Sequence, residues 1–306
     1  MADGKGYIHL SYQDNSRHYG RYAVGAENES RAKSWLDPDT VDAWRHGRMY
    51  AALDPLLQAD SSATWVTVGD GRYGKDARYI SQRGADVVAT DLDDTLLAEA
   101  KEMGYISKFL KENAESLSFA DQSFDYLLCK ESYHHFPRPM LALYEMLRVA
   151  SKGVVLIEPN DRFISYSVLR QGATYFIGKV LSLLKKEMPR HSFEDFGNYV
   201  YTTSQRELEK VALGLNYRYL AFKGINDHYI GGVELEKTSE GGRLFRKLKR
   251  RIMLRDLLTK LRIVDYDLLA AIIFKQIPSD ALQQRLTGAG YRLVRLPENP
   301  SPHGNL

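Results

Sequence analysis

Trp65-Val66-Thr67-Val68-Gly69-Asp70-Gly71-Arg72-Tyr73-Gly74 is a short β-branched and aromatic run that breaks into three glycines. A second apolar run, Val87-Val88-Ala89-Thr90, follows and closes on Asp91. Strand, glycine turn, helix, and a second strand ending in an acid make up a nucleotide-binding βαβ unit. Gly69 and Gly71 allow the backbone to turn tightly and approach a ligand without Cβ interference, and Asp70 lies between them. At the carboxyl end of the second strand, Asp91 is placed to accept hydrogen bonds from a ribose diol. These positions predict an adenosine-bearing cofactor. The Gly69-x-Gly71-x-x-Gly74 spacing by itself leaves a nicotinamide dinucleotide open.

The residues beyond Asp91 separate the cofactors. Asn113-Ala114-Glu115-Ser116-Leu117-Ser118-Phe119 is followed by Asp121-Gln122-Ser123-Phe124-Asp125 and an apolar run to Cys129. Then come Lys130-Glu131-Ser132-Tyr133-His134-His135-Phe136, a helical stretch to Val149, and Gly153-Val154-Val155-Leu156-Ile157-Glu158-Pro159. In order and spacing, residues 64–160 resemble the class I S-adenosylmethionine-dependent methyltransferases that act on small molecules. The chain departs from that pattern at Thr67, where the family usually has an acid, at Tyr73 in place of its third glycine, and at Ser118 in place of a proline.

The resemblance implies a Rossmann-like, doubly wound α/β sheet of about seven strands with the last antiparallel, and S-adenosyl-L-methionine as cofactor. It implies a cofactor site of Gly69, Asp70, Gly71, Asp91, Leu92, Asn113, Ala114 and Lys130. Gly69 and Gly71 would lie under the amino-acid part, Asp91 at the ribose, and Leu92, Asn113 and Ala114 around the adenine. Methyl transfer to an O–H or N–H acceptor often needs a base. His134 and His135, just past the fourth strand, are the candidates, with a purely structural role as the alternative. Glu131, Tyr133 and Glu158 are expected to face the same cleft and hold substrate. Tyr166, His191 and His228, from insertions, are expected as further pocket residues. No Cys/His set has zinc-ligand spacing, so no metal is expected.

The 306 residues are 44% apolar, enough for one decorated core. The alternation of elements divides the chain into an arm and helical extension (1–60), the cofactor-binding core (61–160), a substrate lid (161–200) and a completion of the core (201–306) with a basic insertion at 225–262. Ser204-x-x-Glu207 has the form of a capping box opening a helix. No apolar run is long enough to span a bilayer, no secretory leader opens the sequence, and Cys129 is the only cysteine, so a cytoplasmic protein is expected. Cys129 reads as a small core residue rather than a nucleophile.

Of a net charge of +3, residues 243–262 contribute +8, leaving −5 for the rest. The leucines of this segment fall on two faces, which implies either two short helices or one helix touching two surfaces. It can be a solvated face, or it can meet an anionic membrane surface at its periphery. With Phe245 as its only aromatic residue, nucleic acid is not the expected partner. Trp44, Arg45, His46 and Arg48 invite a functional reading, with an amphipathic helix packing beside the sheet as the favoured alternative.

The functional expectation is methyl transfer from S-adenosylmethionine to an O or N atom of a small molecule or saccharide precursor. Two alternatives remain: an NAD(P)-dependent oxidoreductase, although no Tyr-x-x-x-Lys follows the fourth or fifth strand, and a catalytically silent protein that binds the cofactor for a partner.

Overall fold

β1 (Thr64–Val68) is the third strand from one edge of an eight-stranded sheet in a computed structural model that describes residues 4–23, 25–161, 191–194 and 198–298, with 164, 171, 172, 175, 176, 179 and 183 between them. The other strands are β2 (Asp86–Asp91), β3 (Phe109–Lys111), β4 (Phe124–Lys130), β5 (Ala150–Pro159), β6 (Tyr219–Ile225), β7 (Leu268–Phe274) and β8 (Arg292–Arg295). Their order is β3-β2-β1-β4-β5-β7-β6-β8. β1 to β5 are parallel, and β7 runs antiparallel between β5 and β6. β8 adds an antiparallel edge beyond β6. The reversed strand matches expectation, and the sheet is one strand wider.

The apolar strands are buried on both faces, as a parallel sheet covered by helices requires. Successive side chains alternate between two cores. Trp65, Tyr126, Leu128, Val155 and Ile157 face one, packed by α4 (Asp54–Ala59), α5 (Lys75–Ser81) and α6 (Thr95–Glu102). Val66, Leu127, Cys129, Val154 and Leu156 face the other, packed by α7 (Pro139–Val149) and α8 (Gln205–Gly214). Ser204 caps α8 by accepting from Glu207 N at 3.1 Å, as its motif predicts. α10 (Asp280–Gly288) leads into β8.

Before the sheet come α1 (Gly4–Gly20), α2 (Glu29–Ser34) and α3 (Val41–Tyr50). The basic segment is one helix, α9 (Arg243–Lys260), which buries only Leu248, Ile252 and Thr259. With Val41 and Val233 it makes a small third core, flanked by Trp44 and Phe245. Neither two helices nor a second buried face is present: Met253, Leu254, Leu257 and Leu261 are exposed.

Candidate active site

The turn after β1 is held by contacts that only glycine tolerates. Gly69 has φ +77°, and a Cβ there would meet Ser132 Cβ at 2.5 Å. A Cβ on Gly71 would lie 2.7 Å from Asp91 Oδ2. The glycine turn and the acid of β2 are therefore one unit, with Asp91 seated against the turn. Tyr73 occupies the third position with φ 59°, a left-handed conformation that costs a non-glycine residue about 1–2 kcal/mol. Its ring is fully buried and its hydroxyl donates to Glu99, which compensates.

Asp70 does something different from what was expected. Its carboxylate accepts from Asp76 N at 3.1 Å, Ala77 N at 2.9 Å and Thr67 Oγ1 at 2.9 Å. It therefore caps α5, whose own N-cap residue, Gly74, has no side chain to do so. Thr67 stands where the family pattern has an acid and instead donates to this cap. Asp70 still borders the ligand cavity, but its oxygens are committed to the fold.

Two cavities meet at this turn. The narrower one is lined by Val68, Gly69, Asp91, Leu92, Asn113, Ala114, Phe136 and Pro137, with Tyr12, Asn15 and Tyr19 of α1 as a further wall. It is an apolar slot with a carboxylate at one end, suited to a purine and its ribose. Asn113 Oδ1 accepts from Glu115 N at 2.9 Å, which fixes the amide in place. Burial pushes Asp91 up to about 6, while backbone N–H groups of Asp93, Gly71 and Leu92 pull the other way. These residues fit the adenosine half of S-adenosylmethionine: five of the expected contacts, Gly69, Asp91, Leu92, Asn113 and Ala114, line one slot, and the glycine cradle admits no Cβ.

The second cavity, about 470 Å³, opens from the same turn and shares Tyr19, Gly69, Ser132 and His135 with the slot. Its walls are charged and aromatic. α3 contributes Asp42, Arg45, His46 and Tyr50, and the glycine turn and α5 contribute Arg72, Lys75 and Asp76. Lys130, Glu131, His134, His135, Glu194, Tyr229 and Glu234 complete most of the rest. Arg45 pairs with Asp42 at 2.8 Å and also with Asp227, and Arg31 pairs with Glu234 at 2.6 Å. Asp42 Oδ2 lies 3.6 Å from His46 Nε2 and accepts no hydrogen bond. Burial lowers Lys75 to about 8.

Lys130 lies in this second cavity rather than at the adenosine. Its Nζ reaches His46 Nδ1 at 3.1 Å and Asp76 Oδ1 at 3.3 Å, and Tyr50 donates to the same Asp76 oxygen at 2.7 Å. Burial holds His46 well below its ordinary value, so it is the neutral acceptor of a lysine proton. Burial would also lower Lys130, but the Asp76 and Glu131 carboxylates more than offset it and the net shift is upward.

The histidine pair is resolved by its partners. Glu158, fully buried, accepts from Ser132 N at 3.0 Å, Tyr133 N at 3.0 Å and His134 Nδ1 at 2.7 Å. A carboxylate at Nδ1 holds the proton there and leaves Nε2 as the basic nitrogen. Burial would lower the His134 imidazole, but hydrogen bonding and charge from Glu158 raise it overall. His135 lies 3.1 Å from Glu194 Oε1, and burial together with His134 lowers it. His134, His135 and Glu194 each offer one atom within 4.8 Å of the others, an arrangement that could hold a cation. Cys129 is buried with its thiol pushed far up, so it is a core residue.

Several expected substrate contacts are corrected. Glu158 lines neither cavity and positions His134 instead. Tyr133 is buried in the second core, its hydroxyl against Met140 Sδ at 3.3 Å. His191 is exposed beside Tyr199, and His228 is bonded to Arg251 on α9; neither borders the cavities. Tyr166 lies outside the described residues. Glu131 does line the larger cavity. Arg45 and His46, read from sequence as a packing face, line it too. Their only sequence signal was the Trp44-Arg45-His46-x-Arg48 cluster.

A five-stranded parallel half-sheet, a reversed strand beside β5, and a glycine-and-acid cleft at the carboxyl ends define the class I nucleotide-cofactor transferase architecture. Residues 66–157 match the family model described as a methyltransferase domain. Residues 66–157 are thus a methyltransferase domain of the S-adenosylmethionine-dependent kind, with S-adenosylmethionine as its cofactor. No curated protein matches. Among solved structures it resembles 1,6-didemethyltoxoflavin-N1-methyltransferase from Burkholderia thailandensis, at 13% identity over 90% of this chain and 92% of that one, with a TM-score of 0.49. It also resembles magnesium protoporphyrin IX methyltransferase from Synechocystis PCC 6803, at 13% identity over 88% and 96%, with a TM-score of 0.42. A third is a methyltransferase from Methanosarcina mazei, at 16% identity over 71% and 94%, with a TM-score of 0.43.

Asp91 offers a direct check on the cofactor site. Hydrogen bonds to a charged group contribute about 1.5–3 kcal/mol each, so Asp91→Ala should weaken S-adenosylhomocysteine binding at least ~10-fold by calorimetry. A ribose diol donates to the ionised carboxylate. Because Asp91 titrates at about 6, wild-type affinity should be flat at neutral pH and decline as pH falls through that value. An affinity independent of both the substitution and pH would place the ribose elsewhere.

Proposed function

We propose that the domain methylates an O–H or N–H group of a small, hydroxyl-rich molecule of the saccharide kind, with His134 as the general base and Glu158 as its orienting partner. The observation that carries this reading is the buried Glu158–His134 pair on the wall of the 470 Å³ cavity that continues from the adenosine slot. When bound, the cofactor supplies an already activated methyl group. The chain's task is to hold the acceptor in line and take its proton. His134 Nε2 is the atom that accepts that proton, and Glu158 stabilises the resulting imidazolium.

The lining supports a polar acceptor. Asp42 Oδ2, with no hydrogen bond of its own, and Glu131 offer acceptors for hydroxyl or ammonium donors. Tyr19, Tyr22, Tyr50 and Tyr229 offer ring faces and hydroxyls of the sort that sugar rings pack against. A lipophilic acceptor would leave these charges desolvated and unpaired, at a cost of several kcal/mol for each ion.

The test is a panel of monosaccharides, glycosyl phosphates, aromatic alcohols and aromatic amines, followed as S-adenosylhomocysteine release. Turnover is expected with the polyhydroxy compounds. Turnover confined to apolar aromatics would overturn the acceptor class, and S-adenosylhomocysteine binding without any turnover would favour a silent binding protein.

A further inference from the structure

The face that α9 turns to solvent has a composition its packing does not explain. At 100° per residue, the buried Leu248, Ile252 and Thr259 fall within about 40° of one another. Opposite them, over an arc of about 120°, the residues change character along the helix rather than around it. The first half of this outward face carries Arg243, Arg246, Lys247 and Arg250. The second half carries Met253, Leu254, Leu257 and Leu261, which are 62, 57, 53 and 55% exposed, and the chain continues into Ile263, 48% exposed.

A solvated face needs no cluster of exposed large apolar side chains, and such clusters mark contact sites. We propose that the outward face of α9 docks the protein on an anionic lipid bilayer. Charge complementarity selects this occupant. Residues 243–262 hold +8 in a chain of +3, and the basic half of the face matches lipid phosphate. The apolar half matches the headgroup–acyl boundary. Because the two halves follow each other along the axis, α9 lies tilted, with its carboxyl end dipped into the interface and its amino end on the headgroups. No described helix is long and apolar enough to cross a membrane, so the contact is peripheral.

Docking in this orientation bears on the site. α9 packs through Leu248 and Ile252 against Val41 of α3, and α3 presents Arg45 and His46 to the larger cavity. One helix thickness, about 10 Å, therefore separates the proposed membrane surface from the element that walls the acceptor cavity. This proposal does not depend on the acceptor class or on His134.

The experiment is co-sedimentation of the full chain with vesicles of phosphatidylcholine alone and of phosphatidylcholine with 30% phosphatidylglycerol, at low and high salt, a composition chosen at roughly the anionic content of a charged leaflet. Binding is expected to the anionic vesicles only, and to weaken with salt. Arg246→Gln, Lys247→Gln and Arg250→Gln together should reduce partitioning about a hundredfold, at about 1 kcal/mol per charge. Leu254→Glu with Leu257→Glu should reduce it at least ~10-fold without removing the basic residues. Because all five positions are on the surface, S-adenosylhomocysteine affinity should stay at the wild-type value in both variants, confirming that each is folded. Equal binding to neutral vesicles, no binding to either, or wild-type partitioning in either variant would overturn the proposal. So would a concentration-dependent dimer in analytical ultracentrifugation that Leu254→Glu with Leu257→Glu dissolves, which would assign the face to a second copy of the chain.

Discussion

His134→Ala is expected to lower kcat by ~10²–10⁴-fold while leaving S-adenosylhomocysteine affinity within a few-fold of wild type. The expectation rests on geometry. Nδ1 is committed to a fully buried carboxylate at 2.7 Å, which leaves Nε2 as the basic atom of a ring on the cavity wall. The pH profile separates a base from a structural histidine. Glu158 raises His134 above its ordinary value, and a base works only when neutral, so kcat should fall as pH drops through that raised value. Glu158→Gln removes the charge but keeps the side chain's size. The imidazole then loses a proton more readily, and the acid limb should move to lower pH with a reduced plateau. His135, lowered by burial and by its neighbour, should tolerate alanine far better. An unmoved acid limb in Glu158→Gln, or a large kcat loss only in His135→Ala, would transfer the role to His135 or leave catalysis to proximity alone.

Lys130→Ala is expected to be the most destabilising single change in the cavity wall, costing about 3–5 kcal/mol of folding stability. Lys130 is 6% exposed and supplies the cation for Asp76, which is itself 5% exposed. Removing the lysine strands a buried carboxylate whose remaining side-chain partner is Tyr50. In a chain of this size, that corresponds to a fall in Tm of roughly 5–10 °C by calorimetry. The paired change Lys130→Met with Asp76→Asn removes both charges and should recover most of the loss. If Lys130→Ala unfolds within 1 kcal/mol of wild type, or if the pair is no better than the single change, then the ion pair is not what holds this wall.

The glycine turn and the acid beside it could be anticipated because their demands are local. A glycine at φ +77° and an acid at the end of β2 leave a signature in adjacent residues, and the contact between Gly71 and Asp91 follows from the βαβ geometry. The acceptor half could not be, because it is assembled across the chain. Glu131 and Glu158 both end strands and look equivalent in sequence. Only the fold shows that one borders a cavity while the other points into the protein to hold His134. Arg45 and His46 are buried on α3, and in sequence a polar residue buried at a cavity looks the same as one that faces solvent. Asp70 was misread for a related reason: a carboxylate beside a glycine turn can face a ligand or the helix that follows, and here the uncapped N-terminus of α5 takes it. On charge alone the +8 segment left a solvated face and a membrane contact open, and the lengthwise division of its outward face into basic and apolar halves could be seen only once one helix with one buried side was established.

α1 forms a wall of both cavities, with Tyr12 and Asn15 at the slot, His18 at the larger space, and Tyr19 at each. It is fastened at two points: Tyr12 donates to Glu115 at 2.7 Å, and Ser11 donates to Asn198 at 2.7 Å. Each tie contributes about 0.5–3 kcal/mol to holding the helix there. The same helix therefore borders the adenosine slot and the acceptor cavity alike. A side chain that meets neither cavity, Ser11, thus helps to hold in place a wall that both cavities share.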